Sequence, residues 1–327
     1  MINNLQILRG IAATLVVVFH VAVAPVELSN RTTFFSRFDN WGAIGVDIFF
    51  VISGFIMIYT QEVRPKGAVE FAWSRTKRIV PIYLLVTVVW GIVIYVTSDF
   101  DRSIANPAHI GASLIFSSVF LGFGSPFIPP GWSLEFEMMF YAIFAVSILW
   151  GRPLAVVSVA LIYLVFVMDM RPIVLEFIGG MLIGRWYFIP DRVLSPSVLV
   201  IFGLAGLAYT FIADIDTYTM QGFDRAIYWG IPSMLLVAGL SCSPQLSYRF
   251  PIFLGTASYS IYLTHWCSIR LFSEFFERLD IAQVSHDLYI ILCTLFCLLA
   301  GAMFHNTVEV PIANKLRFLS RKQNVHT

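Results

Sequence analysis

Ten stretches of this 327-residue chain are apolar over a length that suits a membrane-crossing helix, and short polar links separate them. They are Leu5–Val26, Ile44–Tyr59, Ile79–Val96, Trp132–Trp150, Leu154–Met168, Ile173–Phe188, Val198–Ala213, Ala226–Leu240, Ile252–Phe272 and Leu288–Thr307. Wound as α-helices, such runs approach the ~30 Å thickness of a hydrocarbon core. One further run, Ile110–Phe123, is shorter and ends in the Gly/Pro-rich stretch GFGSPFIPPG. That ending predicts a segment that dips into or lies on the membrane without crossing it. Charge placement decides between ten and eleven crossings, because an extra crossing would invert everything after it. With ten spans and a cytoplasmic N-terminus, 14 of the 21 Lys/Arg residues fall inside, as the positive-inside rule requires; with eleven only 10 do. The pattern therefore predicts an all-α, polytopic transmembrane helical bundle of about ten spans, with one re-entrant segment and both termini cytoplasmic. Residues 1–313 read as one membrane-embedded domain and 314–327 as a basic cytoplasmic tail. The loop from Asp214 to Asp224 is acidic and falls outside.

Composition agrees: 58% hydrophobic and 13% charged residues exclude an ordinary soluble domain. A net charge of +1, with basic residues in short clusters between apolar runs, gives no nucleic-acid-binding stripe. The four cysteines lie in or beside apolar runs. Cys293 and Cys297 share a helix face, but a metal site would need two more ligands, so packing is the expectation and no metal is assigned. The first run is long enough to span and lacks a small-residue cleavage site, which marks it as a retained helix.

Arg9 and His20 interrupt that first run. Ionisable groups at membrane depth cost at least ~2.5–3.5 kcal/mol on insertion scales, so they face protein and serve a purpose. Eleven residues of helix separate them by ~16 Å, which puts Arg9 near the inner surface and His20 well across. In the ten-span topology Asp47, Glu135, Glu137 and His265 fall in the same outer layer as His20, while Arg75 and Arg78 join Arg9 on the inner side. Arginines at an inner mouth suit bidentate phosphate binding. A histidine near the outer mouth suits general-base attack by an acceptor hydroxyl, with a carboxylate fixing its tautomer. The pattern thus fits group transfer from an anionic cytoplasmic donor to an outer acceptor. A proton-coupled transporter or a flippase of lipid-linked sugars would also use a buried His/Asp/Glu relay, although no inverted repeat supports it.

Six blocks then occur in order. LRGIAATLVVVFHV and GAIGVDIFFVISGF resemble the first- and second-helix motifs of the membrane-bound acyltransferase 3 family. SRTKRIVPIYLL is similar to its Arg-x-x-Arg loop and GWSLEFEMMFY to its Trp-Ser-Leu motif. SYSIYLTHW and VEVP are similar to its closing blocks. The short chain and the wording of the motifs look most like the exopolysaccharide O-acetyltransferases of rhizobia. The resemblance implies a multi-pass enzyme of the bacterial inner membrane. It implies acetyl-CoA as donor substrate with no tightly bound cofactor, and a polysaccharide or lipid-linked saccharide as acceptor. It makes His20 the catalytic base and Arg9, Arg75 and Arg78 donor-binding or gate residues, while the common outer depth adds Asp47 and Glu137 to the catalytic set. Trp132, Ser133, Tyr262, His265 and Glu309 become candidates for the acceptor side or for support of the site. Glu137, not Glu135, occupies the family's glutamate position. Oligomeric state is open.

Overall fold

A computed structural model describes residues 2–24, 34–97, 106–190, 194–215, 222–278 and 285–323. Val26 at the end of the first apolar run, the middle of the Asp214–Asp224 loop and the last four residues of the basic tail lie outside the described residues. Among the described residues the chain is helical and has no strand. The helices are α1 (Asn3–Ala22), a short α2 (Phe38–Trp41), α3 (Ile44–Val63), α4 (Ala68–Val96), α5 (Pro107–Leu114), α6 (Trp132–Ile148), α7 (Pro153–Phe166) and α8 (Leu175–Tyr187). They continue with α9 (Pro196–Ile212), a one-turn α10 (Phe223–Arg225), α11 (Ile231–Cys242), α12 (Arg249–Arg278), α13 (His286–Phe304) and α14 (Val310–Gln323). π-helical turns at Ala226–Gly230 and His305–Glu309 join α10 to α11 and α13 to α14.

Among the described residues, six helical stretches are long and apolar enough to cross a membrane: Asn3–Ala22, Phe38–Val63, Ala68–Val96, Pro129–Ile148, Phe223–Cys242 and His286–Phe318. The chain is a multi-pass membrane protein. α7 and α9 are apolar but shorter, and α12, though 30 residues long, carries Ser, Thr, Tyr and His through its middle turns. α5 has eight residues, about 12 Å of helix. Its start is set by Asn106, whose side chain accepts from the Ala108 N–H at 2.9 Å, with Pro107 at the first helical position.

The helices group into two compact units. The first comprises residues 1–23, 32–69 and 139–256. Its core gathers Leu5, Leu8, Ala12 and Phe19 from α1, Ile44, Ile48, Val51 and Phe55 from α3, and Trp229, Leu236 and Val237. Within a bilayer, helices gain little from hydrophobic transfer and associate through close packing. Glycine supplies that closeness here. Gly54 of α3 lies against the Phe177 carbonyl, Gly180 of α8 against the Val51 carbonyl and Gly184 against Ile58 and the Phe55 carbonyl. Contacts that climb both helices together make α3 and α8 parallel neighbours, with Val51 level with Gly180. A Cβ at Gly180 would strike the Val51 carbonyl. Gly180→Ala is therefore expected to destabilise the protein by about 1–3 kcal/mol, read as a lowered unfolding midpoint in detergent.

The amino end of α1 is tied down by Asn4, buried at 3% exposure. Its amide donates to the Leu240 and Pro244 carbonyls at 3.1 and 3.0 Å and accepts from the Leu246 N–H at 2.9 Å.

The second unit comprises residues 24–31, 70–138 and 257–327. In it the 106–128 segment is held by side chains from α4 and α6. The Tyr83 hydroxyl meets Ser113 Oγ at 2.9 Å, Trp90 Nε1 donates to the Phe127 carbonyl at 2.9 Å, and Ser113 Oγ also accepts the Phe127 N–H at 3.1 Å.

Candidate active site

His20 occupies the last turn of α1, where its Nδ1 lies 3.0 Å from the Val16 carbonyl. A carbonyl can only accept, so Nδ1 carries the hydrogen and the neutral ring keeps its lone pair on Nε2. The adjacent Phe19 ring packs edge-on at 4.6 Å and fixes the imidazole plane. Arg9, three turns earlier on the same helix, is half-buried.

Asp47 also belongs to the first unit, but its carboxylate has a partner that the sequence reading did not name. Arg225 Nε and Nη2 reach its two oxygens at 3.1 and 2.8 Å in a bidentate pair, and Nη2 also reaches the Ala43 carbonyl at 3.4 Å. Glu176 of α8 lies one turn before Gly180, as Asp47 lies one turn before Val51, so the packing of Gly180 on the Val51 carbonyl sets the two acids at the same level. Gly42 and Gly45 pack on α1 at Leu15, Phe19, Ala12 and Val16, and Asp47 projects about 200° around α3 from Gly45. Asp47 therefore faces α8 and Arg225, away from the face of α3 that meets α1. Arg225 and Glu176 both had a faint signal in the sequence: Glu176 is an acid inside the sixth apolar run, and Arg225 immediately precedes the eighth.

The second unit holds two linked polar groups. In one, Ser133 near the start of α6 lies 2.6 Å from the Tyr262 hydroxyl of α12, which donates to the Pro130 carbonyl at 3.0 Å. One turn on, His265 is buried with Nδ1 bonded to the Tyr262 carbonyl. Trp132 packs edge-on against Phe136 at 5.9 Å. In the other group, Glu309 accepts from Ser260 at 2.6 Å and from His305 at 2.7 Å through the same oxygen, Oε2. The Tyr259 hydroxyl donates to the Ile79 carbonyl at 2.8 Å and lies in the electrostatic range of Glu309, Glu137 and Arg78. The Ser133–Tyr262 bond joins α6 to α12. Arg78 is exposed, while the Arg75 guanidinium lies over the Phe71 ring at 5.4 Å. The Ser260–Glu309 bond joins two of the motif blocks, and His305 is an addition that the sequence did not suggest.

Glu135 has a separate task. Fully buried, it accepts the Ser118 and Val119 N–H groups at 2.9 and 2.8 Å, which anchors the 106–128 segment to α6. Hydrogen bonds to a charged acceptor contribute ~1.5–3 kcal/mol each. Glu135→Ala is expected to lower the unfolding midpoint and to raise thiol labelling of a cysteine placed at Leu121; unchanged labelling would refute the anchor.

A family model described as an acyltransferase domain matches residues 2–305. The chain belongs to the acyltransferase 3 family. Among its relatives, the exopolysaccharide production protein ExoZ of Rhizobium meliloti is 34% identical over 260 residues, covering 71% of this chain and 78% of the relative. The acyltransferase MdmB of Streptomyces mycarofaciens is 23% identical, covering 98% and 93%. A putative peptidoglycan O-acetyltransferase, YrhL of Bacillus subtilis, is 26% identical over 88% of this acyltransferase-family chain and 53% of its own length. No solved structure matches to a significant degree.

Proposed function

We propose that this protein is an O-acyltransferase of the bacterial inner membrane that moves an acetyl group from cytoplasmic acetyl-CoA to a hydroxyl of an extracytoplasmic polysaccharide or lipid-linked sugar. The observation that carries the reading is the 3.0 Å approach of His20 Nδ1 to the Val16 carbonyl: a neutral ring that donates there keeps Nε2 as its proton-accepting atom. In the transfer, the sugar oxygen bonds to the thioester carbonyl carbon as its proton passes to Nε2. The carbon–sulfur bond then breaks, the coenzyme sulfur takes up that proton, and His20 returns to its neutral form. Asp47 or Glu137 is the carboxylate assigned to tune the base. Arg9, Arg75 and Arg78 hold the donor phosphates, and Trp132, Ser133, Tyr262, His265 and Glu309 support the acceptor side. Ten spans with both termini cytoplasmic complete the proposal, because that topology opens the inner side to the donor and the outer side to the glycan.

Family membership supports the acyl chemistry, and the exopolysaccharide and peptidoglycan relatives support a glycan acceptor. The test is purified protein incubated with radiolabelled acetyl-CoA and candidate glycans. Label appearing in a glycan as an alkali-labile ester is the expected result. Labelled acetyl-CoA left intact with every glycan tried, including the host's own exopolysaccharide, would overturn the reading.

A further inference from the structure

The first unit buries a second polar centre that the transfer chemistry does not use in full. Asp47 and Glu176 are both wholly buried, each in the opening turn of its helix, and one guanidinium, Arg225, serves them. The Asp47 oxygens are satisfied by Arg225, yet neither oxygen of Glu176 has a hydrogen-bond partner. Two wholly buried carboxyl groups that share one guanidinium cannot both be ionised at low cost. Among the described residues, α7, α11, the Pro172–Val174 turn and the Ala226–Gly230 turn contain no Asp, Glu, Lys, Arg or His, which leaves Asp47 on α3 and Arg225 on α10 as the charges that act on Glu176.

We infer that this centre is a proton-binding site: Glu176 is a neutral carboxylic acid that donates a hydrogen bond to ionised Asp47, which in turn holds Arg225. Two carboxylates against a single cation would bury one uncompensated charge, a state that costs far more than neutralising it with a proton. The bound proton balances the charges one to one and gives the Glu176 acid a partner. The proton belongs to the pair rather than to either oxygen set. Its effect is to close a three-part clasp. Arg225 stacks over the Trp229 ring at 4.9 Å, and a Cβ at Gly230 would lie 2.9 Å from Glu176 Oε1. The π-helical turn is therefore seated directly on the acid, and the proton fixes that turn to α3 and α8. The inference does not depend on the acceptor or the donor.

The test uses the full chain purified in detergent. Infrared spectra are expected to show the carbonyl stretch of a neutral buried carboxyl in the native protein and to lose it in Glu176→Gln. Glutamine can still donate to Asp47, so this variant should keep its unfolding midpoint within a few degrees and retain acetyl transfer. Asp47→Asn should instead lower the midpoint by about 10 °C, since it strips the ionised partner from Arg225. It should also lose the neutral band, because Glu176 then ionises against the guanidinium, which supplies a second reading if Glu176→Gln does not fold. A native spectrum without the band, a band that survives in both variants, or a Glu176→Gln midpoint as low as that of Asp47→Asn would overturn the proposal. Failure of the acetyl-transfer assay with these spectra intact would refute the enzymatic reading alone.

Discussion

His20→Gln is expected to transfer acetyl groups about 100- to 10,000-fold more slowly than the native chain, the range that general-base catalysis contributes. The substitution is sharper than alanine. Glutamine keeps much of the volume, and its amide can still donate to the Val16 carbonyl as Nδ1 does at 3.0 Å. What it loses is the proton-accepting lone pair. If the fold is intact, the variant should bind CoA like the native protein and yet release little free thiol when acetyl-CoA and glycan are supplied. Measuring thiol release and CoA affinity on one preparation separates a lost base from a lost site. A His20→Gln protein with near-normal turnover would remove His20 from the chemistry. His265, buried and bonded to the Tyr262 carbonyl, would then be the next base to test.

The second large effect is expected on the donor. On the proposed donor assignment, Arg9→Ala and Arg78→Ala should each remove a charge-assisted contact with phosphate, worth ~1.5–3 kcal/mol, or about 10- to 150-fold in affinity for CoA. Arg78 is exposed, so its loss disturbs no core; Arg9 is half-buried and is paired with an unfolding measurement as a control. Titration calorimetry with CoA reads the change, and unchanged affinity in both variants would sink the donor assignment. Lysine should substitute poorly where the native contact is bidentate.

Much of the helical layout was legible in the sequence, because apolar runs and helices obey the same length constraint. Ile44 opens both the second run and α3, and Trp132 opens both the fourth run and α6. The disagreements have physical causes. α4 begins at Ala68, eleven residues before its apolar run, because Trp73 to Arg78 continue as helix despite their charge and hydropathy does not register polar helical turns. The eighth run opens as a π-helical turn before α11, a local change of hydrogen bonding that leaves no mark on average hydropathy. The candidate site was legible residue by residue but not in its pairings. Asp47 stood out as a charge in an apolar run, whereas its bond to Arg225 spans 178 positions and follows only from the tertiary fold. Depth alone places Glu135 in the outer layer, and its role follows only from the Ser118 and Val119 N–H groups that donate to it.

The parallel crossing of α3 and α8 reaches beyond packing. Val51 is level with Gly180, and Phe55 with Gly184, so one turn earlier in the same register Asp47 is level with Glu176. The glycines act as a ruler that sets how closely two acids approach some distance along the helices. A single-residue insertion in either helix would turn its upper part by ~100° and uncouple the acids, whereas a change made on both helices could preserve the match. Across descendants of a common ancestor, positions 47 and 176 should therefore be inherited as a pair, with 51 and 180 travelling alongside them.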